Sequence, residues 1–269
     1  MNDMTDKEFL LLREFTKNNY GINLNDEKKM LVFSRLRTEL IELKLNNFTE
    51  YYNYLINDKS GYAAKEFINR ISTNHTFFMR EAKHFDFFRE SVLPWIESSV
   101  VENDLRIWCA ACSTGEEPYT LQMIIEDYFD GKTGWNTETL ATDISTAVLD
   151  KAASGIYTNE SVSVLPDVWR KKYFHKYDEN NVEVLSKLKN KITFRQFNLM
   201  EKVFPFNTKF QVIFVRNVMI YFDSVTRDRL VEKLYDWMEP GGYLFIGHSE
   251  SLNRSNTGFK YIKPALYRK

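Results

Sequence analysis

The early part of the chain places apolar side chains at three- and four-residue steps. Phe9, Leu12 and Phe15 come first, then Met30, Phe33, Leu36, Leu40 and Leu43. This spacing lines one face of a helix and predicts amphipathic helices that pack together. A third run follows Asn46-Asn47 through Tyr52, Leu55 and Ile56, and a fourth covers residues 62–71. No strand pattern interrupts them, so a small helical bundle is expected.

The pattern then changes. Short strand-like runs at residues 105–111, 139–143, 210–215 and 242–247 are separated by helical periodicity, including Leu121, Met123, Ile124 and Ile125 after the first. Strands alternating with helices predict a doubly wound parallel α/β sheet. The alternation lapses between Gly155 and Phe194. There Asp178-Glu-Asn-Asn181 lies between Val-containing runs and predicts a small hairpin insertion. Residues 259–267 are strand-like and close the chain.

Composition narrows the possible functions. With 269 residues, 43 % of them hydrophobic, the chain can bury one large core and a smaller one. A net charge of −1 excludes a uniformly basic nucleic-acid binder. Two cysteines cannot form a disulfide framework. The start, MNDMTDKEF, has neither the basic nor the apolar region of a secretory signal, and no run approaches ~18 apolar residues. A cytoplasmic protein without membrane insertion is expected.

The residues with chemical potential cluster at predicted strand ends, where doubly wound sheets bind ligands. Ser113-Thr-Gly-Glu-Glu-Pro118 follows the first strand. Ser113 and Glu116 fit a capping box, so a capped helix alone would explain them. Neither G-x-G-x-x-G nor G-x-x-x-x-G-K is present, and a Glu pair would repel pyrophosphate. The ligand is therefore expected to carry hydroxyl or cationic groups. Asp143 ends the second strand and suits ribose hydroxyls, although an Asp there is also a good N-cap. Asn217 and Tyr221 follow the third strand as possible hydrogen-bonding groups. Thr76 and Arg80 would share a face if their segment were helical. An Arg there forms a fixed fork for a carboxylate. Cys109 and Cys112 have C-x-x-C spacing, but Cys109 falls inside a strand and no further zinc ligands are nearby, so both read as core residues. The four His show no metal or triad spacing, and no metal site is expected.

Taken in order, several motifs resemble the CheR family of chemotaxis receptor methyltransferases, which use S-adenosylmethionine (SAM). They are Thr73-Asn-His-Thr-Phe-Phe-Met-Arg-Glu81, Ala111-Cys-Ser-Thr-Gly-Glu-Glu-Pro-Tyr119, Ala141-Thr-Asp-Ile-Ser145, Gly155-Ile-Tyr157, Phe197-Asn-Leu-Met200, Arg216-Asn-Val-Met-Ile-Tyr-Phe-Asp223 and Pro240-Gly-Gly-Tyr-Leu-Phe-Ile-Gly-His-Ser-Glu250. Met79 and Val215 depart mildly from the pattern.

The resemblance implies an all-α N-terminal receptor-docking domain over residues 1–72. A linking segment over 73–95 would contribute to the SAM site. A Rossmann-like methyltransferase domain would cover 96–269, with the small antiparallel β subdomain inserted at about 156–193. The implied reaction moves the SAM methyl group to glutamate side chains of receptor cytoplasmic helices, leaving glutamyl methyl esters and S-adenosylhomocysteine. Asn74, Thr76, Arg80, Glu117, Asp143, Asn198, Leu199, Arg216 and Asn217 would line the SAM site, with Asp143 on the ribose and Asn198 and Leu199 beside the adenine. Arg80 and Tyr221 would face the reacting methyl and carboxylate as the catalytic pair.

The implied partner face is basic. Five cations, Lys28, Lys29, Arg35, Arg37 and Lys44, stand against Glu39 and Glu42, a net +3. A solvated charged face would look the same. In some relatives the β insertion also holds a receptor tail peptide as an added strand; the residues here leave that open. A monomer is expected. Two other readings stay open: a SAM methyltransferase of another protein or small molecule, and a non-catalytic SAM-binding regulator.

Overall fold

The computed structural model describes residues 3–100, 102–253 and 256–269; Met1 and Asn2, within the predicted helical domain, lie outside the described residues. The chain begins with four helices: α1 (Asp6–Tyr20), α2 (Lys29–Glu42), α3 (Phe48–Asn57) and α4 (Tyr62–Ile71). A capping box opens α1. Glu8 N–H donates to Thr5 Oγ1 at 3.3 Å, and Thr5 N–H donates to Glu8 Oε2 at 2.8 Å. Gly21 ends the helix at φ 71°, with its N–H on the Lys17 carbonyl.

Phe9, Leu12, Leu36, Leu40, Tyr51, Leu55 and Phe67 form the bundle core. Two predicted core residues are not in it. Met30 is 64 % exposed and Ile56 is 49 % exposed. In α2 the buried stripe runs through Val32, Leu36 and Leu40, which turns Met30 outward.

After the bundle come α5 (Lys83–Phe87), a π-helical turn over Phe88–Val92, and α6 (Leu93–Ser99). The predicted linking segment is thus largely helical, and it is packed. Phe85, Phe88, Val92, Leu93 and Ile96 join the core on one face of the main sheet. That sheet begins with β1 (Ile107–Ala110), α7 (Glu116–Tyr128), β2 (Thr139–Asp143) and α8 (Thr146–Ser154).

The β insertion follows: β3 (Ile156–Thr158), α9 (Asn159–Val162), α10 (Asp167–Tyr173), β4 (Phe174–Lys176), β5 (Asn181–Val184) and α11 (Ser186–Lys189). The predicted hairpin is β4–β5, and β3 completes an antiparallel three-stranded sheet. The chain then returns through β6 (Ile192–Gln196), β7 (Phe210–Val215), α12 (Ser224–Asp236), β8 (Met238–Ile246), β9 (Lys260–Lys263) and β10 (Leu266–Arg268).

The main sheet has the order β6-β2-β1-β7-β8-β10-β9. Its first five strands are parallel, and β10 and β9 add an antiparallel edge. Ile192 and Thr193, expected at the end of the insertion, instead begin edge strand β6 against Thr139 and Leu140. Strand alternation divides the core between two faces. Ile107 and Cys109 join the helices of 85–125, whereas Trp108 and Ala110 face Leu230 and Leu234 of α12. Among the described residues, no helix is long and apolar enough to cross a membrane.

Chain order reverses at β1, which lies between β2 and β7. The carboxyl ends of these three strands open the crevice where such sheets bind ligands.

Candidate active site

The loop after β1 is tightly wound. Ala111 at φ 73°, Ser113 at φ 50° and Gly115 at φ 96° all adopt left-handed backbone. Glycine is required at the last position, where a Cβ would stand 2.8 Å from the Tyr157 hydroxyl and 2.9 Å from the Ala152 Cβ. The expected capping box is absent. Gly115 is the N-cap of α7, and Ser113 Oγ instead donates to the Asn74 carbonyl at 3.1 Å. The left-handed turn draws Ser113 out of capping position and ties the loop to the segment leaving the bundle. Tyr157 of the β insertion fastens the same loop by donating to the Thr114 carbonyl at 2.6 Å.

Asp143 closes β2 and is 7 % exposed. Its Oδ2 accepts from Ser113 N–H at 2.9 Å and its Oδ1 from Ser145 N–H at 3.0 Å. Burial pushes this carboxyl up, against the backbone donors that favour its charge. The backbone donors of Ser113, Ile144 and Ser145 leave the carboxylate some acceptor capacity. Asp143 also lines the cavity, so the carboxylate fits a ligand with paired hydroxyls.

The segment carrying Thr76 and Arg80 is not helical. It is extended and then turns, with Met79 at φ 61° and Glu81 at φ 59°. Buried Phe78 anchors it against Tyr157, with ring centroids 4.9 Å apart. Thr76 and Arg80 therefore reach the cavity from a turn rather than a shared helical face. The Arg80 guanidinium donates to the His75 carbonyl at 2.7 Å and lies over the Phe77 ring at 5.9 Å.

Arg216, just beyond β7, has a side chain 1 % exposed. It donates through Nη2 to Glu81 Oε2 at 2.9 Å and to the Arg80 carbonyl at 2.5 Å, and through Nη1 to Glu117. Its head is thus committed to protein partners and supports the cavity wall. The Cys109 thiol donates to the other Glu117 oxygen at 3.0 Å. Burial raises both thiols well above their ordinary range, as expected for core cysteines.

Asn217 is left-handed at φ 57°, and its Nδ2 donates to Glu81 Oε1 at 3.3 Å. Glu250 shapes this turn, accepting from the N–H groups of Gly247, Asn217 and Ile220 at 2.6, 3.0 and 3.1 Å. The short 3-10 turn Met219–Tyr221 follows and carries Tyr221 into the cavity. Asn198 donates through Nδ2 to the Asn19 carbonyl at 2.8 Å, linking the loop after β6 to the end of α1.

One cavity is lined by Asn74, Thr76, Arg80, Glu117, Asp143, Asn198, Leu199, Arg216, Asn217 and Tyr221, so the structure brings every predicted cofactor and catalytic residue together. It also brings Lys28, expected on the partner face, to that cavity. The basic face itself is divided. Arg37 and Lys44 are exposed, Lys29 pairs with Asp6 at 2.5 Å, and Arg35 turns inward. Arg35 donates to the Ile71 and Ser72 carbonyls at 2.7 and 2.9 Å, so its fork fastens the end of α4 rather than facing a partner.

Sequence reasoning missed Glu81 and Glu250 as organising carboxylates. Both stood inside the quoted motifs, but nothing in their spacing shows what they hold.

The family model for the CheR methyltransferase all-alpha domain matches residues 7–72, and that for the CheR methyltransferase SAM binding domain matches residues 74–267. The chain is 41 % identical to the chemotaxis protein methyltransferase of Borreliella burgdorferi, over 99 % of this chain and 95 % of that one. It is 36 % identical to chemotaxis protein methyltransferase 2 of Pseudomonas aeruginosa, over 98 % and 93 %. With the Escherichia coli chemotaxis protein methyltransferase, identity is 35 % over 98 % and 91 %. A helical bundle joined to a mixed α/β sheet, with an open crevice at the strand ends, thus belongs to the CheR family of SAM-dependent methyltransferases.

Proposed function

We propose that the protein methylates glutamate side chains on the cytoplasmic helices of chemoreceptors, forming glutamyl methyl esters. The observation that carries this reading is the convergence of Asp143, Arg80 and Tyr221 on one cavity beneath the helical bundle. SAM supplies a methyl group already activated by its sulfonium. Asp143 takes the ribose hydroxyls with the acceptor capacity its backbone donors leave, while Leu199 and Asn198 border the adenine.

A glutamate carboxylate is ionised at neutral pH, so the chain needs no general base. Its task is to hold the nucleophile in line. Arg80 and Tyr221, which both line the cavity, do this together. The lone guanidinium orients the carboxylate without the bidentate double pairing that would blunt it. Arg216, paired to Glu81 and Glu117, keeps the wall fixed and adds no free positive charge. The bundle is the receptor-docking domain. Lys28, Arg37 and Lys44 attract acidic flanks of the target helices, and residues 96–269 form the methyltransferase domain.

Tritiated SAM with receptor-containing membranes tests the reading. Base-labile label released as methanol is the expected outcome. A folded enzyme that binds SAM but leaves no such label on any receptor would overturn it.

A further inference from the structure

Glu81, the partner of Arg216, forms with His84 and His248 a cluster whose two imidazoles the methyl-transfer reading does not use. Their ligating atoms all lie within 4.8 Å of one another. His84 is 1 % exposed, and neither of its ring nitrogens makes a hydrogen bond. Burying an unpartnered imidazole is costly, and such a group in a native fold calls for a partner. Its Nδ1 points at Glu81 Oε2 from 3.4 Å, too long for a good hydrogen bond. That distance matches the edge of a tetrahedral zinc site, where bonds of about 2.0–2.1 Å place donors about 3.4 Å apart. The His248 ring stands 4.6 Å from the His84 ring, edge to face, and His248 is exposed, so an ion has a way in.

We propose that Glu81, His84 and His248 bind a divalent ion of the zinc class, with one coordination position open to solvent. Two imidazoles and one carboxylate suit zinc far better than calcium or magnesium, which demand oxygen ligands.

Occupancy has a cost at the active site. Glu81 already accepts from Arg216 through Oε2, and from Asn217 and the His248 N–H through Oε1. A carboxylate has about four acceptor sites. The ion therefore competes with Arg216 for Oε2 and loosens the cofactor-side wall.

The test uses the untagged full chain, stripped with a chelator and titrated with zinc chloride against a chromogenic zinc indicator. One equivalent is expected, and excess magnesium or calcium should not displace it. His248→Ala removes an exposed ligand without disturbing the core and should weaken binding by about tenfold or more. Cobalt(II) in the same site should show d–d absorption without the intense thiolate band that Cys109 and Cys112 would give. Zinc should weaken S-adenosylhomocysteine binding severalfold in the unmodified chain and not in His248→Ala. No bound equivalent, zinc binding equal in His248→Ala, a thiolate band, or product affinity indifferent to zinc would each overturn the proposal. None of these readouts depends on receptor methylation.

Discussion

Arg216, at the end of a central strand, is held by Glu81, 135 positions earlier, with Nη2 2.9 Å from Oε2. Glu81 sits in a left-handed turn just after the helical bundle, and burial raises its carboxyl less than Arg216, the His248 N–H and Asn217 lower it. This ion pair joins the segment carrying Thr76 and Arg80 to the strand end carrying Asn217 and Tyr221. Both halves of the cavity wall are set by one guanidinium.

Arg216→Ala leaves the part-buried carboxylates of Glu81 and Glu117 without their cation. It should cost about 3–5 kcal/mol of stability and sharply reduce product binding. Arg216→Lys keeps the charge but loses the fork, so it should fall between. Urea unfolding and calorimetry with S-adenosylhomocysteine measure both. Normal stability in Arg216→Ala would show that the wall is held elsewhere.

Asp143 gives a prediction with opposite signs for stability and binding. Its carboxyl is raised by burial, so the folded state holds the proton more tightly than the unfolded chain. Its stabilising contribution is complete below the unfolded value of about 3.9 and is lost as pH rises through the raised folded value. At neutral pH the buried charge is a burden that Asp143→Asn removes. The ligand-free variant should melt no lower than the unmodified chain at pH 7, and its relative advantage should shrink on acidification. Ligand binding should weaken by about 1–3 kcal/mol, because ribose donors lose a charged acceptor. Undiminished calorimetric affinity would remove Asp143 from the site.

Arg80 and Tyr221 should separate turnover from cofactor affinity. Arg80→Ala and Tyr221→Phe are each expected to lower kcat, by up to about 10²-fold for lost alignment, and to change S-adenosylhomocysteine affinity far less. Steady-state methylation alongside calorimetry reads both quantities. An Arg80→Ala that loses cofactor affinity alone would refute the positioning role.

The basic helix should divide into two classes. Arg35→Ala removes charge-assisted bonds to two carbonyls and should cost about 1.5–3 kcal/mol of stability. Arg37→Glu and Lys44→Glu lie at the surface and should change stability by less than about 0.5 kcal/mol. They should instead raise the KM for receptor, with a weaker dependence on salt than the unmodified enzyme. Identical receptor kinetics in both charge reversals would exclude Arg37 and Lys44 from docking.

The ease of reading each element followed its burial. Residues 139–143 and 210–215 show as strands in the sequence, and their bounds coincide with β2 and β7; β7 is buried throughout and reads as a near-continuous apolar run, whereas β2, with Thr139, Thr142 and Asp143, shows by its place between two helical stretches. β6 escaped because it is an edge strand; Thr193, Arg195 and Gln196 are exposed, which leaves too few apolar positions for a signal. The start of β8 escaped because Glu239-Pro-Gly-Gly242 resembles a turn, although it continues the strand. Met30 fitted the helical period, but the docking of α2 decided which face was buried.

The same division holds at the site. The order of strands and helices, the residue types at the strand ends and the family were all present in local pattern and motif. Which groups are free was not. Ser113 had the spacing of a cap and Arg35 that of a surface cation, yet each bonds a carbonyl on another segment. His84 and His248 carry no mutual spacing, and they meet only because α5 packs against the end of β8. Local sequence sets backbone preference and the chemical inventory. Long-range packing decides which donors, acceptors and charges are already satisfied, and therefore which remain to meet a ligand.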